Sequence, residues 1–590
     1  MATRLRIWNS FKKENYTVPL SILVVLLLPI MLLAPLFLTH TISYRADTWF
    51  HMMRIYEMRR SIEDGSLMGT LGNIFTFGQA GQAINGMYPS ATLKILVLVT
   101  NYLSPVNQVY AIFALILWLT GLSNLYVFKQ LKINSFQLLL ASLTMTYVLS
   151  LYLILKSGTL GLAISLGIAP IIFYGLVLIQ SDEKNKQMQA SYLIGIGVGL
   201  IFLSHLISAF LSVLIVMIAA VIDICNSRSN FVFYVKSGLV SLLIGLPTIV
   251  TTLLLGRDAL SVASFGRTPG SIIRFFSPLW DTTQGSAYVG WTLLTVIAVI
   301  YIGISLFKVE SYRALKIVAI LTMLMGTNVA YSKFLDFIQI PERFWILGSL
   351  LCVFILIVEL FKNPKYGKTI AIIAAGLTMI SATNIVYNAK GTLAKQTIWQ
   401  QTSQVYDRNN TKVNNKTYSY PKFTNLRTYV DYMPREQGKT AIKPPRASDP
   451  SKEMLDVSKT KSVRKSGFDV DSIAPDQNKN MASVHQAYDI RAHRNTLNLK
   501  AKVSKSDLYD LPFWFYKHNR YVVKVNNKLV NPRDSKQGRM SVRLEDGVNQ
   551  VSIKQKMPLQ IVISYYLSFI TLFISIYLLI WLKRSKKLQS

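Results

Sequence analysis

Apolar runs of about 18 to 23 residues recur along this 590-residue chain, and no other feature restricts its fold as strongly. A run of that length crosses a hydrocarbon core roughly 30 Å thick as one helix. In lipid, only helices and closed barrels satisfy every backbone polar group, and continuous rather than alternating runs exclude a barrel. With 51% hydrophobic residues and a mean hydropathy of +0.35, the chain reads as a polytopic α-helical membrane protein.

The first run, 17–39, is too long for a signal-peptide core and lacks a small-residue cleavage site, so it reads as a retained span. Arg4, Arg6, Lys12 and Lys13 precede it and place the N-terminus in the cytoplasm. Further runs fall at about 90–104, 108–128, 134–155, 158–180, 190–206, 208–225, 234–254, 286–307, 316–331, 343–361, 369–387 and 559–582. An outer loop at 40–89 and a basic inner segment at 226–236 require an odd number of crossings between them, so one of these runs does not span. The weakest is 90–104, short and interrupted by Lys94 and Asn101. About twelve spans follow, and Lys583, Arg584, Lys586 and Lys587 hold the C-terminus inside.

This partition gives a membrane region, 1–387, with a first outer loop at 40–89; a hydrophilic outer block, 388–557; and a last span with a basic tail, 558–590. The outer loop carries an amphipathic stretch, Trp49 to Ile62, that is expected to lie in the interface plane. A second stretch around Ile74-Phe75 ends in the glycine-rich passage Gly78 to Pro89. The second half of the hydrophilic block alternates, as in Leu497 to Val503 and Tyr521 to Val525, with turns at Asn526-Asn527 and Asp546-Gly547. That alternation predicts a small antiparallel β-sandwich before the last span.

The formal charge is +34, and residues 388–557 hold 32 Lys/Arg against 15 Asp/Glu, so half of the excess lies in one block. On the outer side of a membrane, nucleic acid is not the expected partner. Anionic envelope polymer or lipid headgroups are, because summed charge attracts polyanions without specific contacts. The competing reading is a basic pI that only keeps the block soluble. Two cysteines, Cys225 and Cys352, leave no disulfide framework for the outer block, which fits a bacterial cell membrane.

Three places carry candidate chemistry. Asp47 stands just beyond the first span, and in a helix Asp47, His51 and Arg54 fall at i, i+4 and i+7 on one face. A carboxylate beside cations stays ionised and suits a base that takes a proton from a hydroxyl. The competing reading is an Asp47 side chain that caps the helix. His205, midway through a long apolar stretch that must turn back on itself, faces the outer side and either bonds a ligand phosphate or is a satisfied structural histidine. Arg343, at the outer mouth of a late span in Gln339-Ile340-Pro341-Glu342-Arg343-Phe344, either holds a phosphate through its fork of donors or snorkels beside Glu342. No P-loop, dinucleotide fingerprint, HExxH or CxxC occurs, and the six histidines lack zinc-ligand spacing.

Asp47-Thr48-x-Phe50-His51-x-x-Arg54, Gly81 with Tyr88-Pro89, and Gln339-x-Pro341-x-Arg343-Phe344 together resemble the bacterial 6-pyruvoyl-tetrahydropterin-synthase-related membrane proteins. These in turn resemble the C-superfamily (GT-C fold) of glycosyltransferases, multi-span enzymes that take sugars from polyprenyl-phosphate carriers. The label carries no pterin chemistry. The resemblance implies an inverting sugar transfer to a cell-envelope acceptor on the outer face, with Asp47 as the catalytic acidic residue. It implies Arg343 at the carrier phosphate; beside it, Arg54 or His51 is expected to help hold the donor phosphate, and His205, Tyr88 and Gln339 are candidate substrate-site residues. Glu342 departs from the pattern, which has an aromatic there. A divalent metal is left open, since the first loop has no DxD or ExD pair. The alternative is a non-enzymatic lipid-carrier, flippase-associated or polymer-tethering protein.

Overall fold

A computed structural model describes residues 2–44, 47–67, 69–226, 230–258, 289–308, 312–329, 342–399, 411–419, 432, 434, 485–535 and 538–589. Its helices longer than a single turn, in chain order, are α1 (Ala2–Phe37), α2 (Thr48–Glu63), α3 (Ala91–Thr100), α4 (Pro105–Gln130), α5 (Ser135–Leu151) and α6 (Leu160–Ile179). There follow α7 (Lys184–Phe202), α8 (Leu206–Asn226), α9 (Phe231–Gly256), α10 (Val289–Lys308), α11 (Arg313–Met325), α12 (Glu342–Leu360), α13 (Gly367–Lys395) and α14 (Leu559–Gln589).

Ten of the described helices are long and apolar enough to cross a membrane, against the twelve or so expected. The difference has two sources. Helix α7 opens on the polar turn Lys184-Asn185-Lys186-Gln187, and α11 stops at Met325, where Gly326 ends it short of the expected 331. The weak run at 90–104 contains only the ten-residue α3. Helix α7 is nevertheless packed inside the bundle. A Cβ on Gly195 or Gly199 would come within 2.6 Å of Val240 or Ile244 of α9, and one on Gly197 equally close to Ile172 of α6. Small residues spaced in this way let helices approach where lipid supplies no hydrophobic drive.

The expected interfacial stretch is not a surface helix. In α2, Thr48 through Ile55, then Glu57, Met58 and Ser61, are buried, so protein covers its first turns on every side. Just before it, β1 (Thr41–Ser43) joins a three-stranded sheet with β2 (Thr397–Ile398) and β3 (Thr411–Asn414), in the order β1-β3-β2. Helix α13 runs on to Lys395, so the expected boundary at 388 falls inside it.

Before α14 lies a β domain of two antiparallel sheets. Strands β4 (His485–His493), β5 (Thr496–Val503), β7 (Arg520–Val525), β8 (Lys528–Val530) and β11 (Gly547–Lys556) form one, in the order β4-β5-β11-β7-β8. Strands β6 (Asp507–Trp514), β9 (Arg533–Asp534) and β10 (Arg539–Leu544) form the other, in the order β6-β10-β9. Alternate residues meet between them, with Leu497, Leu499, Val523, Val551 and Ile553 facing Tyr509, Leu511, Phe513, Val542 and Leu544. Asn526 and Asn527 both take positive φ, 50° and 65°, the tight hairpin turn that an Asn pair favours.

Among the described residues, the hydrogen bonds and ion pairs that join this domain to the helical region leave one end of the strands. The Trp514 amide donates to the Ala80 carbonyl at 2.7 Å, and the Tyr516 hydroxyl accepts the Ala83 amide at 2.9 Å. The His518 amide donates to Asp258 at 3.0 Å, and His493 lies 3.3 Å from Asp64. The strands therefore stand on the helical region, with the ends of β6 and β11 and the start of β7 nearest to it.

Candidate functional site

Asp47 is the residue before α2, and its side chain does not cap the helix. Its position is set from behind. Its amide donates to the Ser157 carbonyl at 3.1 Å, at the end of the π-helical turn Tyr152–Ser157 that closes α5. Gly158 follows at φ +75°, and a Cβ there would lie 2.2 Å from the Thr48 nitrogen. Only glycine fits both the left-handed backbone and the contact. A π-turn is a frequent mark of a functional segment.

Two turns on, Arg54 is fully enclosed. Its Nε donates to Asn85 at 3.0 Å and its Nη2 to the Pro89 carbonyl at 2.8 Å, while Nη1 lies 3.4 Å from His51 Nδ1. Its guanidinium carbon lies 4.1 Å from the centre of the Tyr88 ring. Burial lowers its pKa to about 10, so it remains a cation at neutral pH. These contacts engage the fork with the protein itself: Arg54 fixes Tyr88 and the end of the loop. Of the expected face of Asp47, His51 and Arg54, the last two side chains meet, while Asp47 stands one residue before the helix.

Tyr88 occupies the centre. Its ring lies 5.6 Å from those of Phe50 and His51 and 5.7 Å from that of His205. Burial raises its pKa to about 12, with Arg54 and Arg343 acting downward and Asp47 upward, so the phenol is a hydrogen-bond donor at neutral pH. Asp47 and Arg343, the latter in the first turn of α12, thus both act electrostatically on this hydroxyl. His205 lies in the turn between α7 and α8, with Nδ1 accepting the Ser208 amide at 3.2 Å. Its pKa falls to about 3 through burial, then through Arg343 and Arg54. Burial and Arg54 push His51 down as well, so both imidazoles are neutral. Gly161, at the start of α6, completes the wall: a Cβ would come within 3.0 Å of the Tyr88 hydroxyl and 3.1 Å of the His205 ring.

Asp47, His51, Arg54, Tyr88, His205 and Arg343 thus belong to one neighbourhood. Gln339 lies outside the described residues. Sequence reading missed Gly158 and Gly161, whose only signal is a glycine opening an apolar run, and it missed Glu57. That carboxylate, buried in α2, accepts the Ile74 and Phe75 amides at 2.7 and 3.0 Å and the Thr76 hydroxyl at 2.7 Å. It was legible only as one more charge on an amphipathic helix. Among the described residues, no three His, Cys, Asp or Glu side chains group as a metal site.

Fold and site define a multi-pass helical membrane protein with a β domain before its last helix and a polar centre where α2, α6, α8 and α12 begin. No family model matches the chain, and no curated protein does, so the resemblance to the 6-pyruvoyl-tetrahydropterin-synthase-related proteins rests on its motifs alone. Among solved structures it is similar to the cryo-EM structure of the arabinofuranosyltransferase AftD from Mycobacteria. The likeness has 15% identity and a TM-score of 0.38, and covers 63% of this chain and 27% of that one. The chain therefore spans little more than a quarter of that protein's length.

Proposed function

We propose that this protein is a membrane glycosyltransferase that moves a sugar from a polyprenyl-phosphate donor to a cell-envelope acceptor on the outer face of the bacterial membrane. The observation that supports the reading is that Asp47, just before α2, and Arg343, in the first turn of α12, both act electrostatically on the Tyr88 hydroxyl, with opposite sign. An anion, a cation and a protonated phenol are the parts a single displacement needs. Asp47 takes the proton from the acceptor hydroxyl as its oxygen bonds to the sugar C1. The C1–O bond to the carrier breaks on the opposite side, and the phosphate departs with the electron pair, so the anomeric configuration inverts. Arg343 holds that phosphate through its fork of donors, and the Tyr88 hydroxyl donates to it. Neutral His51 and His205 act as hydrogen-bond partners rather than cations. Arg54 is a positioning residue.

The outer placement follows from charge: Lys308 and Arg313, Lys362 and Lys365, and the tail after Leu582 mark the opposite side as cytoplasmic.

The test is transfer by the purified full chain from a panel of polyprenyl-phosphate sugars, with Asp47→Asn and Arg343→Lys compared. Loss of a general base lowers turnover about 10²-fold or more. Arg343→Lys keeps the charge but loses the bidentate geometry, and its defect is expected in donor saturation as well as turnover. Wild-type transfer by Asp47→Asn would remove the mechanism, and absence of transfer from every donor by the wild type would remove the assignment.

A further inference from the structure

The three central strands of the five-stranded sheet, β5, β11 and β7, carry an unusual charge on their solvent face. The pairing β5-β11-β7 places Lys502 opposite Val548, Lys500 opposite Gln550, Asn498 and Lys524 on either side of Ser552, Thr496 and Val522 on either side of Lys554, and Arg520 opposite Lys556. The partners of these residues in the alternation are core, among them Leu497, Leu499, Val523, Val551 and Ile553. These twelve therefore share the outward face. Six are cations, all exposed, and none is a carboxylate. The acids that follow along these three strands, Glu545 and Asp546, lie in the turn beyond the far end.

Plain solubility does not require this pattern. Lys556 and Arg520 stand directly opposite one another, an arrangement that costs stability where an acid in either place would add to it. A mixed surface dissolves as well as a single-sign one. Repeated like charges along one face raise the local concentration of a polyanion.

The geometry also decides what kind of polyanion fits. Lys556 lies three positions before the first residue of α14, whereas Lys502 is level with Val548, eight residues further along β11. At about 3.3 Å per residue the stripe is about 26 Å long. The strands stand on the helices by one end, through Trp514–Ala80, Tyr516–Ala83 and His518–Asp258. A bilayer surface accordingly reaches the Lys556 end and not the Lys502 end. A linear polymer follows the whole stripe.

We propose that this sheet face is a docking track for a linear anionic polymer, running from the membrane end of the β domain outward. The inference deepens the proposed function, since it gives the acceptor side a charge and a path. It rests on that reading for the track's purpose, not for the binding itself.

Binding of fluorescent long-chain inorganic polyphosphate to the full chain in neutral-lipid nanodiscs tests it. One variant is Lys500→Gln, Lys502→Gln, Lys524→Gln and Lys554→Gln together. A control with the same charge loss is Lys362→Gln, Lys365→Gln, Lys368→Gln and Lys390→Gln, all exposed and outside the β domain. The track variant is expected to bind about tenfold more weakly or worse near 0.15 M salt, with a shallower salt dependence, and the control within about twofold of wild type. Equal weakening in both variants, no binding by the wild type, or a stripe that binds phosphatidylglycerol vesicles in preference to polyphosphate would overturn the proposal. Sugar transfer measured in parallel separates the two readings. Lost binding contrast with intact transfer rejects the track alone, and intact contrast without transfer rejects the enzyme alone.

Discussion

The side-chain amide of Gln555 closes a two-bond ring with the backbone of Gly72: its Nε2 donates to the Gly72 carbonyl at 3.0 Å, and its Oε1 accepts the Gly72 amide at 3.0 Å. The last strand of the β domain is thereby fastened to the loop that leads to Tyr88. Gln555→Leu leaves both Gly72 groups buried and without that partner, at about 1–3 kcal/mol each. The midpoint of thermal unfolding should fall, and hydrogen exchange at Gly72 should accelerate. Unchanged protection there would show that the loop holds its shape without the β domain.

Gly158→Ala addresses the support beneath Asp47. The new methyl group has no room beside the Thr48 nitrogen, and φ +75° is strained for alanine. The start of α2 has to shift, and a displacement near 1 Å at a catalytic group costs on the order of 10²-fold in rate. The expected outcome is a folded, membrane-inserted protein with transfer reduced to the level of Asp47→Asn. Full activity would mean that Asp47 does not need this backing.

Glu57 makes the loop latch pH-dependent. Burial raises its pKa from 4.5 to about 7, against the opposing pull of its bonds from Thr76, Ile74 and Phe75. Between those values the folded protein holds a proton that the unfolded chain has released, so stability falls as pH rises from about 4.5 to about 7 and is level above. The thermal midpoint of wild type relative to Glu57→Gln should decline over that interval. A difference that stays flat with pH contradicts it.

Orientation is checked with single cysteines in a background lacking Cys225 and Cys352. A cysteine at Lys500, exposed on the β domain, should react with an impermeant thiol reagent in intact cells, and one at Lys365, between α12 and α13, should not. The reverse pattern would put Asp47 on the cytoplasmic side and end the outer-face mechanism.

Sequence alone determined the elements whose signal is local. Continuous apolar runs of membrane length predict helices because the bilayer core leaves the backbone no other partner, and ten such helices are present among the described residues. Strict alternation from Leu497 to Val503 and the Asn526-Asn527 pair predict sheet and hairpin, because side-chain period and turn sterics act within a few residues. Asp47, His51 and Arg54 were legible as one face of a helix by the same kind of short-range geometry. Tertiary structure alone decided what surrounds that face. The burial of α2, the engagement of Arg54 by Asn85 and Pro89, the role of Glu57 and the pinning of Asp47 by Gly158 depend on segments brought together from distant parts of the chain. Hydrophobic period records that a residue is buried. It does not record against what, and the chemistry of this centre is set by those neighbours.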